Sequence, residues 1–140
     1  MVERQAIRVR YDRRETGWAT PLQHNLAVIE NIPLTERCNA LDVVRLEPEL
    51  GDGLPWVGEV VERRYNAKSL LHYHSQRDLE LLRSLLQLLG CATESARRPT
   101  ADGPGVLLVA HDASIRPALL AQAVGVSQPQ EPAEGALALS

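Results

Sequence analysis

The stretch Ser69–Gly90, SLLHYHSQRDLELLRSLLQLLG, decides how this chain is read. Leu70, Leu71, His72, Tyr73 and His74 have the apolar and aromatic character of a strand. Ser75-Gln76-Arg77-Asp78 then has the form of a helix start. Ser75 can accept from the Asp78 backbone N–H, and the Asp78 carboxylate falls at the positive end of the helix dipole. Leu79, Leu82, Leu86 and Leu89 recur at helical spacing, with Leu81, Leu85 and Leu88 widening the stripe, so the helix is expected to lie on a sheet along a broad leucine face. Gly90 is placed to end it in the left-handed conformation.

Downstream, Cys91–Glu94 reads as a short strand, Ser95–Gly105 as a polar loop and Val106–His111 as a covered central strand. Ser114 is expected to cap a second helix with Pro117 in its first turn and Ile115, Leu119 and Ala123 inward, and Gly125 to stop it. The Pro- and Gln-rich stretch 126–135 is expected to be loose, and 136–139 to return as an edge strand. This β-α-β-β-α-β order is the ferredoxin-like one.

Upstream, Ile7, Val9 and Tyr11 alternate with Arg8, Arg10 and Asp12, the pattern of an antiparallel strand with one wet face. Arg13–Gly17 reads as a turn. Leu22–Ile32 is a second extended segment with Leu26, Val28 and Ile32 inward, closed by Pro33. Leu41–Glu47 and Trp56–Arg64 form a hairpin across the turn-rich 48–55, and Gly58 marks a bulge or a close approach. The fold expected is α+β: a small antiparallel sheet or partial barrel over residues 1–66, then a ferredoxin-like half over 67–140, as one compact domain or as two small halves sharing a core.

Composition narrows the function classes. The chain has 140 residues, 44% hydrophobic and 24% charged, enough for an independent core. Its net charge of −3 and 4% aromatic content, with no Phe, give little for binding nucleic acid, and none is expected. Apolar runs are too short for a membrane span, the N-terminus lacks a signal-peptide core, and Cys38 and Cys91 make no metal or redox motif. A cytoplasmic protein without a cofactor is expected.

One resemblance emerges from short motifs. Asn31-Ile32-Pro33, Leu41-Asp42-Val43-Val44, Val60-Val61-Glu62-Arg63 and the helix exit Leu89-Gly90-Cys91 with Glu94 resemble a bacterial family catalogued as domain of unknown function 4265. The likeness would span roughly residues 7–125. Leu41 stands where the family pattern has glycine, and Asn66-Ala67-Lys68-Ser69 where it has Gly-His-Ser-Thr. The resemblance implies a fold and no activity.

Few residues carry a chemical signal. His72 and His74 share a strand face, and with His111 on a neighbouring strand they could form an open three-imidazole metal site, though no carboxylate joins them. His111-Asp112 ahead of Ser114 suggests a Ser/His/Asp relay, but adjacent strand residues point to opposite faces and no nucleophile elbow is present; capping explains the same residues. Arg97 and Arg98, before a Gly/Pro loop, are candidate binding residues, as are Trp18 and Trp56 if exposed. The N-terminal arginines read as a solvated strand face. With no catalytic set, the expectation is a non-enzymatic module for a protein partner, at its sharpest an immunity or antitoxin-like factor. The alternatives are a small-molecule-sensing domain and, behind it, a His-based metal-dependent enzyme. Homo-oligomerisation is compatible with each.

Overall fold

The computed structural model describes residues 5–48 and 53–129 and the backbone of 136–138. The chain is α+β and divides into two compact units, Met1–Tyr65 and Asn66–Ser140.

The first unit is a closed five-stranded barrel of β1 (Ile7–Arg10), β2 (Thr16–Pro21), β3 (Leu26–Ile29), β4 (Val43–Glu47) and β5 (Trp56–Glu62). Neighbouring strands run antiparallel, and a parallel pairing of Arg10 with Trp56 closes the circle. Five strands replace the four expected. The additional one, β2, turns Gly17 and Ala19 inward, so its buried face carries no large apolar side chain to announce it. Its Gly17 is required: a Cβ there would collide with the ring of Tyr11, which is buried across it. β2 and β3 meet in a tight turn in which His24 and Asn25 both have positive φ, the twist that suits a hairpin.

β3 has the opposite phase to that expected. Ala27 and Ile29 are buried and Leu26 and Val28 are half-buried, because pairing with β4 sets Ala27 opposite the core residue Val44. Val9, Tyr11, Ala19, Ile29, Val44 and Val57 complete the barrel core. In β5 the register slips by one residue between Val60 and Val57, a bulge beside Gly58, and the Glu47 side chain lies over that glycine.

In the second unit β6 (Ala67–Tyr73), β7 (Ala92–Arg97), β8 (Gly105–His111) and β9 (Ala136–Ala138) form an antiparallel sheet in the order β7-β8-β6-β9. Helix α1 (Gln76–Leu88) starts at Ser75, whose Oγ accepts from Asp78 N at 3.1 Å. It ends with Gly90 at φ 82°, where Gly90 N donates to Gln87 O and Cys91 N to Leu86 O. Helix α2 (Pro117–Ala123) ends in the same way, through Gly125 N to Gln122 O and Val126 N to Ala121 O.

The core of this unit joins Leu71, Tyr73, Leu107 and Val109 of the sheet to Leu79, Leu82 and Leu86 of α1 and Ala121 of α2, with Cys91 and Val126 between them. The leucine stripe is narrower than its spacing suggests. Leu81, Leu88 and Leu89 are exposed, because a helix that rests on a sheet along one line buries only the residues nearest that line.

The second helix also departs from expectation. Its N-cap is Arg116, not Ser114, and no side chain caps it. The later start turns Leu119 and Ala123 outward and Pro117 and Ala121 inward. Val126 is not loose but buried. The Gln128 amide hydrogen-bonds both backbone groups of His72, accepting from N and donating to O at 2.8 Å each. A side chain there does what a neighbouring strand's peptide group would do. Residues 130–135 and 139 lie outside the described residues.

Candidate functional site

The imidazoles proposed as metal ligands do not converge. His111 pairs with Ala67 and His72 with Val106, five positions apart along β6, roughly 17 Å at strand rise. They also face opposite ways. Ala67, Ser69, Leu71 and Tyr73 share the helix-covered face with His111, whereas His72 belongs to the other, and His74 is exposed beyond the strand end. Among the described residues no group of three His, Cys, Asp or Glu is placed to hold a metal ion.

His111 has a partner that sequence spacing did not suggest. Its Nδ1 lies 2.7 Å from the Asp112 carbonyl oxygen, which can only accept, so Nδ1 carries the proton. Nε2, at 2.7 Å from Ser69 Oγ, then accepts from the serine hydroxyl. Both residues are buried, and burial pushes the imidazole below its ordinary value. The pair has the hydrogen-bond grammar of a serine nucleophile and its base, but both side chains are buried on the two central strands, β6 and β8. It is a satisfied polar contact in the core. Ser114 is not part of it. Its N and Oγ both donate to Asp112 Oδ1, at 2.9 and 2.8 Å, and these bonds hold the Asp112 carboxyl below the usual carboxylate range.

Arg97 lies in β7 instead of a loop, and its Nη2 donates to Pro104 O at 3.2 Å, tying the strand to the far side of the hairpin; Arg98 is exposed beside it. The hairpin is narrowed at its tip by the Thr100–Gly103 bridge. No helix N-terminus or further cation joins these arginines in the hairpin, so Arg97 is held as a structural tie.

The two tryptophans, in contrast, form an organised surface. Val9 points into the barrel, so Arg8 and Arg10 on either side of it point out. Strand register sets Arg8 opposite Trp18 of β2 and Arg10 opposite Trp56 of β5. Each guanidinium lies over its indole, at 5.2 Å for Arg8 and 5.9 Å for Arg10. Such stacks contribute roughly 0.5–1 kcal/mol at exposed sites and hold the guanidinium plane in place. Trp18 is 45% exposed and Trp56 half-buried, with an indole N–H that has no hydrogen-bond partner among the described residues. Neither belongs to the barrel core. Arg8 Nη2 also donates to Thr16 Oγ1 at 2.6 Å, and Arg10 Nη1 reaches the carbonyls of Asp12 and Arg13.

Two nearby carboxylates are committed to backbone groups, while that of Glu47, opposite Trp56, lies over Gly58. Asp12 Oδ1 accepts from Arg14 N and Glu15 N, both at 2.8 Å, and the Glu15 carboxylate accepts from Leu34 N and Thr35 N at 2.7 and 3.0 Å. With Arg13 and Arg14 exposed in the adjoining turn, this face of an acidic chain is locally basic.

The same region explains the Asn31-Ile32-Pro33 motif. Asn31 Oδ1 accepts from the Tyr11 hydroxyl at 2.5 Å and from Trp18 N at 2.9 Å, so it fixes the strand that carries Trp18. Burial pushes the Tyr11 phenol above its ordinary range, and it stays protonated and donating.

No family model matches the chain, and no curated protein matches it. A crystal structure of a hypothetical protein from Neisseria gonorrhoeae is similar to it in fold, with a TM-score of 0.55 and 13% identity over 100% of this chain and 99% of that one. A likeness at that identity concerns the fold alone. No helix among the described residues is long and apolar enough to cross a membrane.

Proposed function

We propose that this chain is a non-enzymatic protein-binding module that uses the outer face of its barrel around Arg8, Arg10, Trp18 and Trp56. The observation that carries the reading is the pair of Arg–Trp stacks in register across β2, β1 and β5. Trp and Arg dominate the energetics of protein interfaces, and here both types stand outside the core with their planes already ordered. An immunity or antitoxin-like role, in which a small cytoplasmic protein neutralises a partner, is the sharpest form of the proposal. The basic face would favour encounter with an acidic patch on that partner.

Two finer readings belong with it. The second unit is proposed as ferredoxin-like, supported by its β-α-β-β-α-β element order and the strand order β7-β8-β6-β9. Kinship with domain of unknown function 4265 is proposed on the quoted motifs, of which Asn31 and Gly90 have identifiable structural work in this chain.

The test is affinity capture from lysate of the source cells, with the wild type beside the Trp18→Ala/Trp56→Ala variant, both verified as folded by circular dichroism. A stoichiometric partner held by the wild type and lost from the variant is expected. A partner held equally by both, or none, would remove this face from the proposal.

A further inference from the structure

We infer that a second copy of this chain docks on the outer side of α1, the two helices lying antiparallel across a two-fold axis. A single leucine left in solvent calls for no explanation. The outer side of α1 is different, because its residues form a stripe. Arg77, Leu81, Ser84 and Leu88 recur at intervals of four, three and four, the spacing of a helix–helix seam. All four are exposed, and Leu88, at 86%, is the most exposed large hydrophobic residue among those described. The stripe lies away from Leu79, Leu82 and Leu86, which rest in the core, so the packing of this unit makes no use of it.

The charges of α1 suit a second copy in one orientation. Arg77 stands in the first turn, at the positive end of its own helix dipole, and the last turn has no basic residue. In an antiparallel pair centred between Leu81 and Ser84, Leu81 of each copy meets Ser84 of the other, a small side chain that allows close approach. Leu88 then meets Arg77 of the other copy. The arginine stem covers the leucine, and the guanidinium reaches the C-terminal end of that helix, where a cation is favoured. Glu80 and Gln87, both exposed along one flank of the stripe, face Gln87 and Glu80 across the axis, so no like charges meet. A parallel pair would instead set Arg77 against Arg77 and Glu80 against Glu80. Asp78 and Arg83 are half-buried and lie off the stripe. A seam of this length covers less than the roughly 800 Å² that each partner gives to a stable complex, so the dimer is a weak one, populated at high protein concentration.

The experiment is sedimentation velocity of the full chain over a concentration series reaching roughly 500 µM. A monomer–dimer equilibrium with a Kd on the order of 100 µM is expected. Leu88→Glu, at a position with little packing to lose, should weaken association about tenfold or more and leave the urea midpoint unchanged. Arg77→Glu removes the cation from the end of the facing helix and should weaken association several-fold, although it suits the start of its own helix. A monomer at every concentration, or association in either variant equal to that of the wild type, would overturn the inference. So would an equimolar mixture of wild type and Arg77→Glu that associates more tightly than the wild type alone, because only a parallel pair sets the two positions opposite each other.

Discussion

His111 Nε2 lies 2.7 Å from Ser69 Oγ, in a fully buried position where desolvation disfavours the charged imidazole. Because burial lowers the folded-state value below the ordinary 6.5, the unfolded chain binds more protons than the folded one between those two values. The stability contributed by neutral His111 is therefore complete above about pH 6.5 and falls as the pH drops through the window below it. Urea denaturation at pH 7.5 and 5.5 should show the lower midpoint at 5.5. His111→Gln should reduce that difference while lowering both midpoints. An equal drop in wild type and variant would assign the pH effect elsewhere.

Leu41 has a left-handed backbone at φ 60°, immediately before Asp42, whose buried carboxylate accepts from Asn39 N at 2.7 Å and meets Arg63 Nη1 at 3.5 Å. A branched side chain is disfavoured there, and Leu41 is exposed, so little packing would be lost with it. Leu41→Gly is expected to raise stability by roughly 1 kcal/mol, the relief of strain exceeding the added freedom of the unfolded chain. A higher urea midpoint with an unchanged slope checks it.

Gly17→Ala should be costly because the new methyl would enter the space of the Tyr11 ring, which is held in place through its hydroxyl on Asn31. A loss of roughly 2–3 kcal/mol in denaturant unfolding is expected. Gly105, directly opposite Tyr73 in β6, repeats the arrangement in the second unit and should behave alike.

Gln128→Ala removes both hydrogen bonds to the His72 backbone and is expected to cost roughly 1–2 kcal/mol. Amide hydrogen exchange separates this from a general loosening: protection should fall first at the His72 N–H while Leu71, bonded toward β8, stays protected.

What could be read from the sequence follows from how local each cause is. The Ser75 cap, the Gly90 exit and the Leu79–Leu82–Leu86 spacing lie within one helix, and the chain alone displays them. The inward face of β2 consists of Gly17 and Ala19, which have no hydrophobic signature until Tyr11 is seen lying across Gly17. Leu81 and Leu88 have the right residue type but not the right angle, and only the seat of α1 on the sheet separates them from Leu82. Arg8, Arg10, Trp18 and Trp56 could each be named as exposed or anchoring residues. Their pairing depends on the β1–β2 register and on the parallel closure of β1 against β5, which no neighbouring residue encodes. Ser69 and His111, 42 positions apart, meet for the same reason.

The matching ends of the two helices have a consequence for engineering this chain. Cys91 and Val126, the residues just past Gly90 and Gly125, both donate back to their helices and both sit in one core with Leu86 and Ala121. Adding one residue to either helix would swing the following side chain by about 100° and pull it out of that core. Helix length is thus as constrained as core composition, and tags or inserted domains belong instead at the hairpin tip, at Ala101–Asp102.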